Sequence, residues 1–283
     1  MKKMLLSLGL TLGLVLCAIN SVQAETVESG KGAFKLGTIL QAGFLMAEDE
    51  TTYPPSQDAN ENTSFTLNRA RLLATGQIGS ESVKWYIETE MKHSPEILEA
   101  KITFPGLIPM TDLSVGCLAP NFTHYAPMSV AKLDFINYPR LVYAYGMGYQ
   151  CGIQSTTNLE NGVSFNLGVF NGGAGAPPNN FSDDNDDFDF LGRLAVSPIE
   201  GLDVAAYHWQ GAAGAEGDVS FSRTGIEAGY SQQGLRLLGE FVMGSGYPFN
   251  EDIDSQGYFA QALYKREYEN SNLPEQIANQ DVM

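Results

Sequence analysis

The chain lacks several things, and each absence removes a class of protein. After its first two dozen residues it has no long apolar run, so a bundle of membrane-spanning helices is excluded. It has 16 Lys and Arg against 33 Asp and Glu, a formal charge of -17, so a basic surface for nucleic acid is excluded as well. Its three histidines, His93, His124 and His208, lie far apart and share no metal-ligand spacing. No Gly-x-Ser-x-Gly elbow and no phosphate-binding glycine loop is present. The sequence therefore points to no enzyme, no cofactor and no metal. Cysteine is scarce too, at Cys17, Cys117 and Cys151.

What is present begins with an export signal. Lys2 and Lys3 precede an apolar core from Leu5 to Ile19, and Val22-Gln23-Ala24 gives small-residue cleavage chemistry. Residues 1–24 are read as a signal peptide, with Cys17 inside it and Leu16 too bulky for a lipidation site. Their removal takes away Lys2 and Lys3 and leaves the remainder more acidic still. In an exported protein a Cys117–Cys151 disulfide is chemically allowed. Two buried thiols are the alternative, and the register across the intervening loop decides between them.

The rest of the chain, residues 25–266, alternates strand-like runs with turns in a regular way. Runs lie near Ala33–Met46, Phe65–Gln77, Ser82–Met91, Glu99–Phe104, Thr111–Leu118, Met147–Thr156, Val163–Phe170, Phe188–Val196, Leu202–Gln210, Phe221–Tyr230, Leu235–Met243 and Gln256–Tyr264. Joins at Ile78–Glu81, Pro105–Met110, Asn158–Gly162, Ser197–Gly201 and Gln232–Gly234 are tight. Those between them, including Glu48–Ser64, Lys92–Leu98, Ala119–Gly146 and Asn171–Asp187, are longer and polar. Short turns on one side and long loops on the other are the pattern of an antiparallel transmembrane β-barrel of the bacterial outer membrane. The expected fold class is therefore all-β, a barrel with about twelve visible strands. Acids gather in the long loops, as in Glu48-Asp49-Glu50 and Asp183-Asp184-Asn185-Asp186-Asp187. Such loops are solvated, or could hold cations that bridge lipopolysaccharide.

The second and third runs show why one face would be wet. With a two-residue hairpin at Gly79-Ser80, Arg71 lies opposite Glu88 and Arg69 opposite Glu90. Leu72, Ala74 and Gly76 then meet Ile87, Trp85 and Val83 on the other face. Val163, Phe165, Leu167 and Val169 alternate with Ser164, Asn166 and Gly168 in the same way. So do Phe188, Phe190, Leu194 and Val196 with Asp189 and Arg193, and Leu235, Leu237 and Phe241 with Arg236 and Glu240. The faces of Leu202–Gln210 stay unassigned. A polar face lining a lumen makes Arg69, Arg71, Lys84, Glu88, Glu90, Lys101, Arg193, Arg223, Glu227, Arg236 and Glu240 the pore-lining candidates.

Several segments resemble the phosphate-selective porin O and P family. They are Ser64-Phe65-Thr66-Leu67-Asn68-Arg69-Ala70-Arg71-Leu72, Leu113–Gly116 before Pro120-Asn121-Phe122, Gly234–Phe241, and Gly257-Tyr258-Phe259-Ala260-Gln261-Ala262. The resemblance spans most of the chain through short, degenerate motifs in the right order. It implies an outer-membrane porin, usually a homotrimer, whose third loop folds into the lumen. That loop is Ala119–Gly146 here, with Lys132 and Arg140 as constriction candidates and a short helical turn expected within Ser129–Ile136. The sequence departs from the family in two ways. Its lumenal cations are few and matched by acids, so a weakly selective passage for small hydrophilic solutes or ions is expected. Phosphate is the anion that the resemblance names. The polar residues 267–283 show no closing strand where the family has about sixteen, which marks either a truncation point or a smaller barrel.

Overall fold

The computed structural model describes residues 34–46, 63–78, 83–146, 148–171, 179–180, 186–213, 219–246 and 254–265. The export signal, the acidic run at residues 48–50, most of the one at 183–187, the turn at 79–80 and the tail at 267–283 lie outside them. Among the described residues thirteen strands form one sheet: β1 Phe34–Met46, β2 Thr63–Ile78, β3 Val83–Glu90, β4 Glu96–Ile108, β5 Thr111–Leu118, β6 Tyr149–Asn158, β7 Val163–Asn171, β8 Asn179–Asn180, β9 Phe188–Ile199, β10 Leu202–Ala213, β11 Val219–Gln232, β12 Leu235–Ser245 and β13 Asp254–Tyr264. Each expected run is a strand. β8, a two-residue strand paired in parallel with β6, was not expected, and the other twelve follow one another in an antiparallel meander.

Two joins differ from expectation. β4 runs through most of Pro105–Met110, and a bulge between Pro105 and Ile108 absorbs the proline there. The turn itself falls at Met110, whose φ is 61°. β4 also starts at Glu96, so the join after β3 is shorter than Lys92–Leu98.

The period-2 alternation sorts side chains between two faces. Leu72, Ile87, Ile102, Ile153, Leu167, Phe190, Leu194, Ile226, Leu237 and Tyr258 all point outward and are exposed. An apolar band of this kind fits a hydrocarbon surround. No helix among the described residues is long and apolar enough to cross a membrane.

The segment between β5 and β6 proves that the sheet curls. The Asp134 carboxylate accepts from Arg236 on β12 and Gln261 on β13, at 2.7 and 3.1 Å. Two residues later, the Ile136 carbonyl accepts from Gln41 on β1 and Arg69 on β2, at 3.0 and 2.9 Å. Two residues of chain span about 7 Å at most. The two ends of the sheet are therefore brought together, with the loop inside.

Cys117 and Cys151 stand directly opposite each other on β5 and β6 and are joined as a disulfide. The register that sequence left open thus favours the bridge over two thiols.

Candidate functional site

All eleven expected lumenal side chains lie on the inward face, because the registers carry one parity from strand to strand. Lys84, Glu88 and Glu90 on β3 share that face with Arg71 on β2 and with Glu99 and Lys101 on β4. Arg193 on β9 continues it through Tyr207 to Gly225 and its neighbours Arg223 and Glu227 on β11. Glu227 stands opposite Glu240, and Ser231 opposite Arg236.

The β2–β3 register corrects the hairpin. Ile78 pairs with Val83 and Arg71 with Glu90, a slip of two residues from a Gly79-Ser80 turn, because the connection takes four residues rather than two. An even slip leaves every side chain on its expected face. Arg71 now reaches both acids, Glu88 at 2.6 Å and Glu90 at 3.1 Å. Arg69 does not pair with Glu90. It is buried and binds Gln41, the Ile136 carbonyl and the Asn137 side chain, so it holds the inner loop.

That loop descends the lumen on one wall and returns. Phe122 and His124 sit at mid-height. Arg193 donates to the Phe122 carbonyl at 3.2 Å and to Glu227 at 2.6 and 3.0 Å. The His124 ring meets Glu227 at 3.4 Å, and its amide donates to Glu240 at 3.2 Å. Asp134 marks the lowest point, near the short-turn end, where Arg236 and Lys265 lie at 2.7 and 3.4 Å. Burial acts to raise the Asp134 carboxyl, yet Arg236 above all, with Gln261, Tyr125 and Lys265, holds it below the usual carboxylate range. The chain then climbs past Tyr138, whose phenol burial pushes up to about 12 against the pull of Arg71 and Arg69. It ends in helix α1, Arg140–Tyr145, with the Tyr145 carbonyl accepting from Arg223 at 3.1 Å. Of the helical turn expected within Ser129–Ile136, three residues form, a 3-10 turn at Val130–Lys132 whose first amide-side cap is the Ser129 hydroxyl. Lys132 and Arg140 are both exposed.

A wholly wet lumen is not what the inward face makes. Leu191, Tyr207, Trp209, Phe221 and Val242 point inward and bury against Phe122, Leu141 and Tyr145 of the loop. Trp209 stacks on Phe170 at 5.0 Å, and Phe122 sits edge-on to Tyr207 at 4.8 Å. Each such burial is worth about 1.5–3 kcal/mol. The faces of Leu202–Gln210 are thereby settled, with Tyr207 and Trp209 inward and Val204 and His208 outward. Consequently Arg223, Glu227 and Glu240 lie beneath the loop, at 4, 7 and 3 % exposure, and serve as its anchorage. Sequence reasoning missed Asp134, Gln41, Tyr207 and Gln261 as members of this network. Asp134 is the one acid in a stretch rich in apolar and aromatic residues, which was the available signal.

Among the described residues no His, Cys, Asp or Glu cluster could hold a metal ion.

No family model matches the sequence, and no curated protein does. Among solved structures, an anion-selective porin from Comamonas acidovorans superposes with a TM-score of 0.50 at 14 % identity, covering 82 % of this chain and 74 % of that one. OmpT, an outer membrane protein of Vibrio cholerae, gives a TM-score of 0.43 at 11 % identity, over 84 % of this chain and 83 % of that one. The first likeness is one of fold, and it agrees with the apolar exterior. The chain has the all-β barrel fold of Gram-negative outer-membrane proteins, and that membrane is where its exterior fits.

Proposed function

We propose that the chain is a passive diffusion channel for small hydrophilic solutes or ions, with a weak preference for anions. The observation that carries this reading is the pairing of an apolar exterior with a charged inward face and a loop drawn down the lumen. A charged inward face narrowed by an inner loop is an arrangement that can pass and select small solutes. The lean toward anions comes from the order of burial within ion pairs. Lys101 is 30 % exposed and its partner Glu99 9 %. Arg236 is 31 % exposed and Asp134 3 %. At these two pairs a solute on the wall meets the cation before the carboxylate behind it, whereas at Arg71–Glu90 the carboxylate is the more exposed partner, at 19 against 11 %. The excess of acids in the sequence, 33 against 16 Lys and Arg, opposes this, so the preference is weak. The resemblance to the phosphate-selective porin O and P family supports the same lean, and with it a homotrimer.

The depth of the loop favours one alternative, a non-conducting barrel that anchors acidic surface loops. Single-channel recording of the refolded protein in a planar bilayer under a salt gradient separates the two. Stepwise conductance with an anion-signed reversal potential is expected. Silence from inserted, heat-modifiable protein would reject the channel.

A further inference from the structure

The two walls of the lumen are not equivalent. On the side of β9 to β12 the inward face is closed by the loop, with Trp209 and Val242 wholly buried and Leu238 at 4 % exposure. On β3 to β5 the inward positions of the short-turn half are short or polar and are half-buried or exposed, namely Lys84, Tyr86, Lys101, Thr103, Ser114 and Gly116, while Glu88, Glu99 and Leu118 toward the long-loop end are buried. Thr103 and Ser114 share a 2.9 Å hydroxyl contact across the two strands, which keeps both side chains low on the wall. Gly116, directly opposite Lys101 in β5, has φ +127° and adds no side chain at that level. Lys101 is fixed there by Glu99, at 2.6 Å, and by the Tyr86 ring, 5.4 Å from its ammonium.

We propose that permeating ions pass over the short-turn half of the β3–β5 wall, and that Lys101 is the residue that sets the discrimination between anions and cations there. This rests on the channel reading above. Arg193, Arg223, Glu227 and Glu240 then position the loop and touch no permeating ion. Lys101 stands near the middle of β4. Its ammonium projects past its own counter-ion into the open side.

The test pairs charge reversal with thiol labelling in planar bilayers. Lys101→Glu should shift the anion-to-cation permeability ratio toward cations by about sixteenfold or more, the effect of a change of two unit charges about 5 Å from an ion in water. Ser114→Cys should lose conductance stepwise on reaction with a negatively charged methanethiosulfonate, while Leu238→Cys should not respond. Should Lys101→Glu fail to refold, the two cysteine variants decide the matter. An unchanged reversal potential in Lys101→Glu, or block through Leu238→Cys, would overturn the proposal while the channel stands. A silent wild-type protein would instead overturn the channel reading, and this proposal with it.

Discussion

Replacing Asp134 by Asn tests whether the inner loop is held at its lowest point by charge. The substitution keeps the shape and an acceptor for Gln261 and Tyr125, but removes the ion pairs to Arg236 and Lys265. Lys265 is 79 % exposed and contributes almost nothing. Arg236 is 31 % exposed and Asp134 3 %, so their 2.7 Å contact is partly sheltered. A hydrogen bond to a charged group is worth about 1.5–3 kcal/mol, and the exposure of Arg236 argues for the lower half, about 2 kcal/mol. That is about a thirtyfold rise in the population of an unfastened loop tip. Arg69 still holds Ile136 and Asn137, so the tip swings while the loop stays inside.

The assay is single-channel noise. Asp134→Asn should spend about thirty times longer in a second conductance level than the wild type. The pH dependence follows from the lowered Asp134 carboxyl. A depressed carboxylate contributes stability that is present above its ordinary value of 3.8 and is lost as pH falls through the lower folded value. The difference between the two proteins should therefore hold from neutral pH to about pH 4 and close only below it. Identical noise in both proteins at neutral pH would refute the tether.

Three further outcomes are expected. Glu90→Gln should expose one side of Arg71, which it now binds at 3.1 Å, and move the reversal potential toward anions without involving Arg69; an unmoved potential would count against a lumenal Arg71. The pair Cys117→Ser and Cys151→Ser, which opens a link across 34 residues, should cost up to about 4 kcal/mol in urea unfolding while leaving conductance unchanged. Trp209→Ala should cost about 3–5 kcal/mol and let protease cut between Phe122 and Tyr145, since Phe170 loses its ring partner and Phe122 one of its two.

The strands were legible because lipid and the lumen are different media, and a strand between them alternates. Leu194 and Arg193, or Leu237 and Arg236, announce their faces by polarity alone. Even the mistaken hairpin register kept its faces, since a slip of two changes partners and not sides. Pairing is finer information. It depends on how many residues the turn consumes, and Gly79-Ser80 looked sufficient for a turn that takes four.

The inner wall was less legible for a physical reason that β10 makes plain. Val204 and His208 face outward, while Tyr207 and Trp209 face inward, so neither polarity nor size marks the lumen. Alternation reports a difference between two surroundings, and here both surroundings are apolar, lipid on one side and the loop on the other. The partner that makes the inside apolar is Phe122, 87 residues away in sequence from Trp209 and carried by a loop whose path no local pattern encodes. The same holds for Asp134 and Arg236, 102 residues apart. Polar inward residues could thus be named from sequence, but not sorted into those that meet water and those that hold the loop. That sorting is what confines the proposed passage to the short-turn half of β3–β5, where Lys101 and Ser114 are only half-buried. A strand whose inward positions are polar and lightly covered marks the wet wall. One whose inward positions are aromatic marks where the loop is seated.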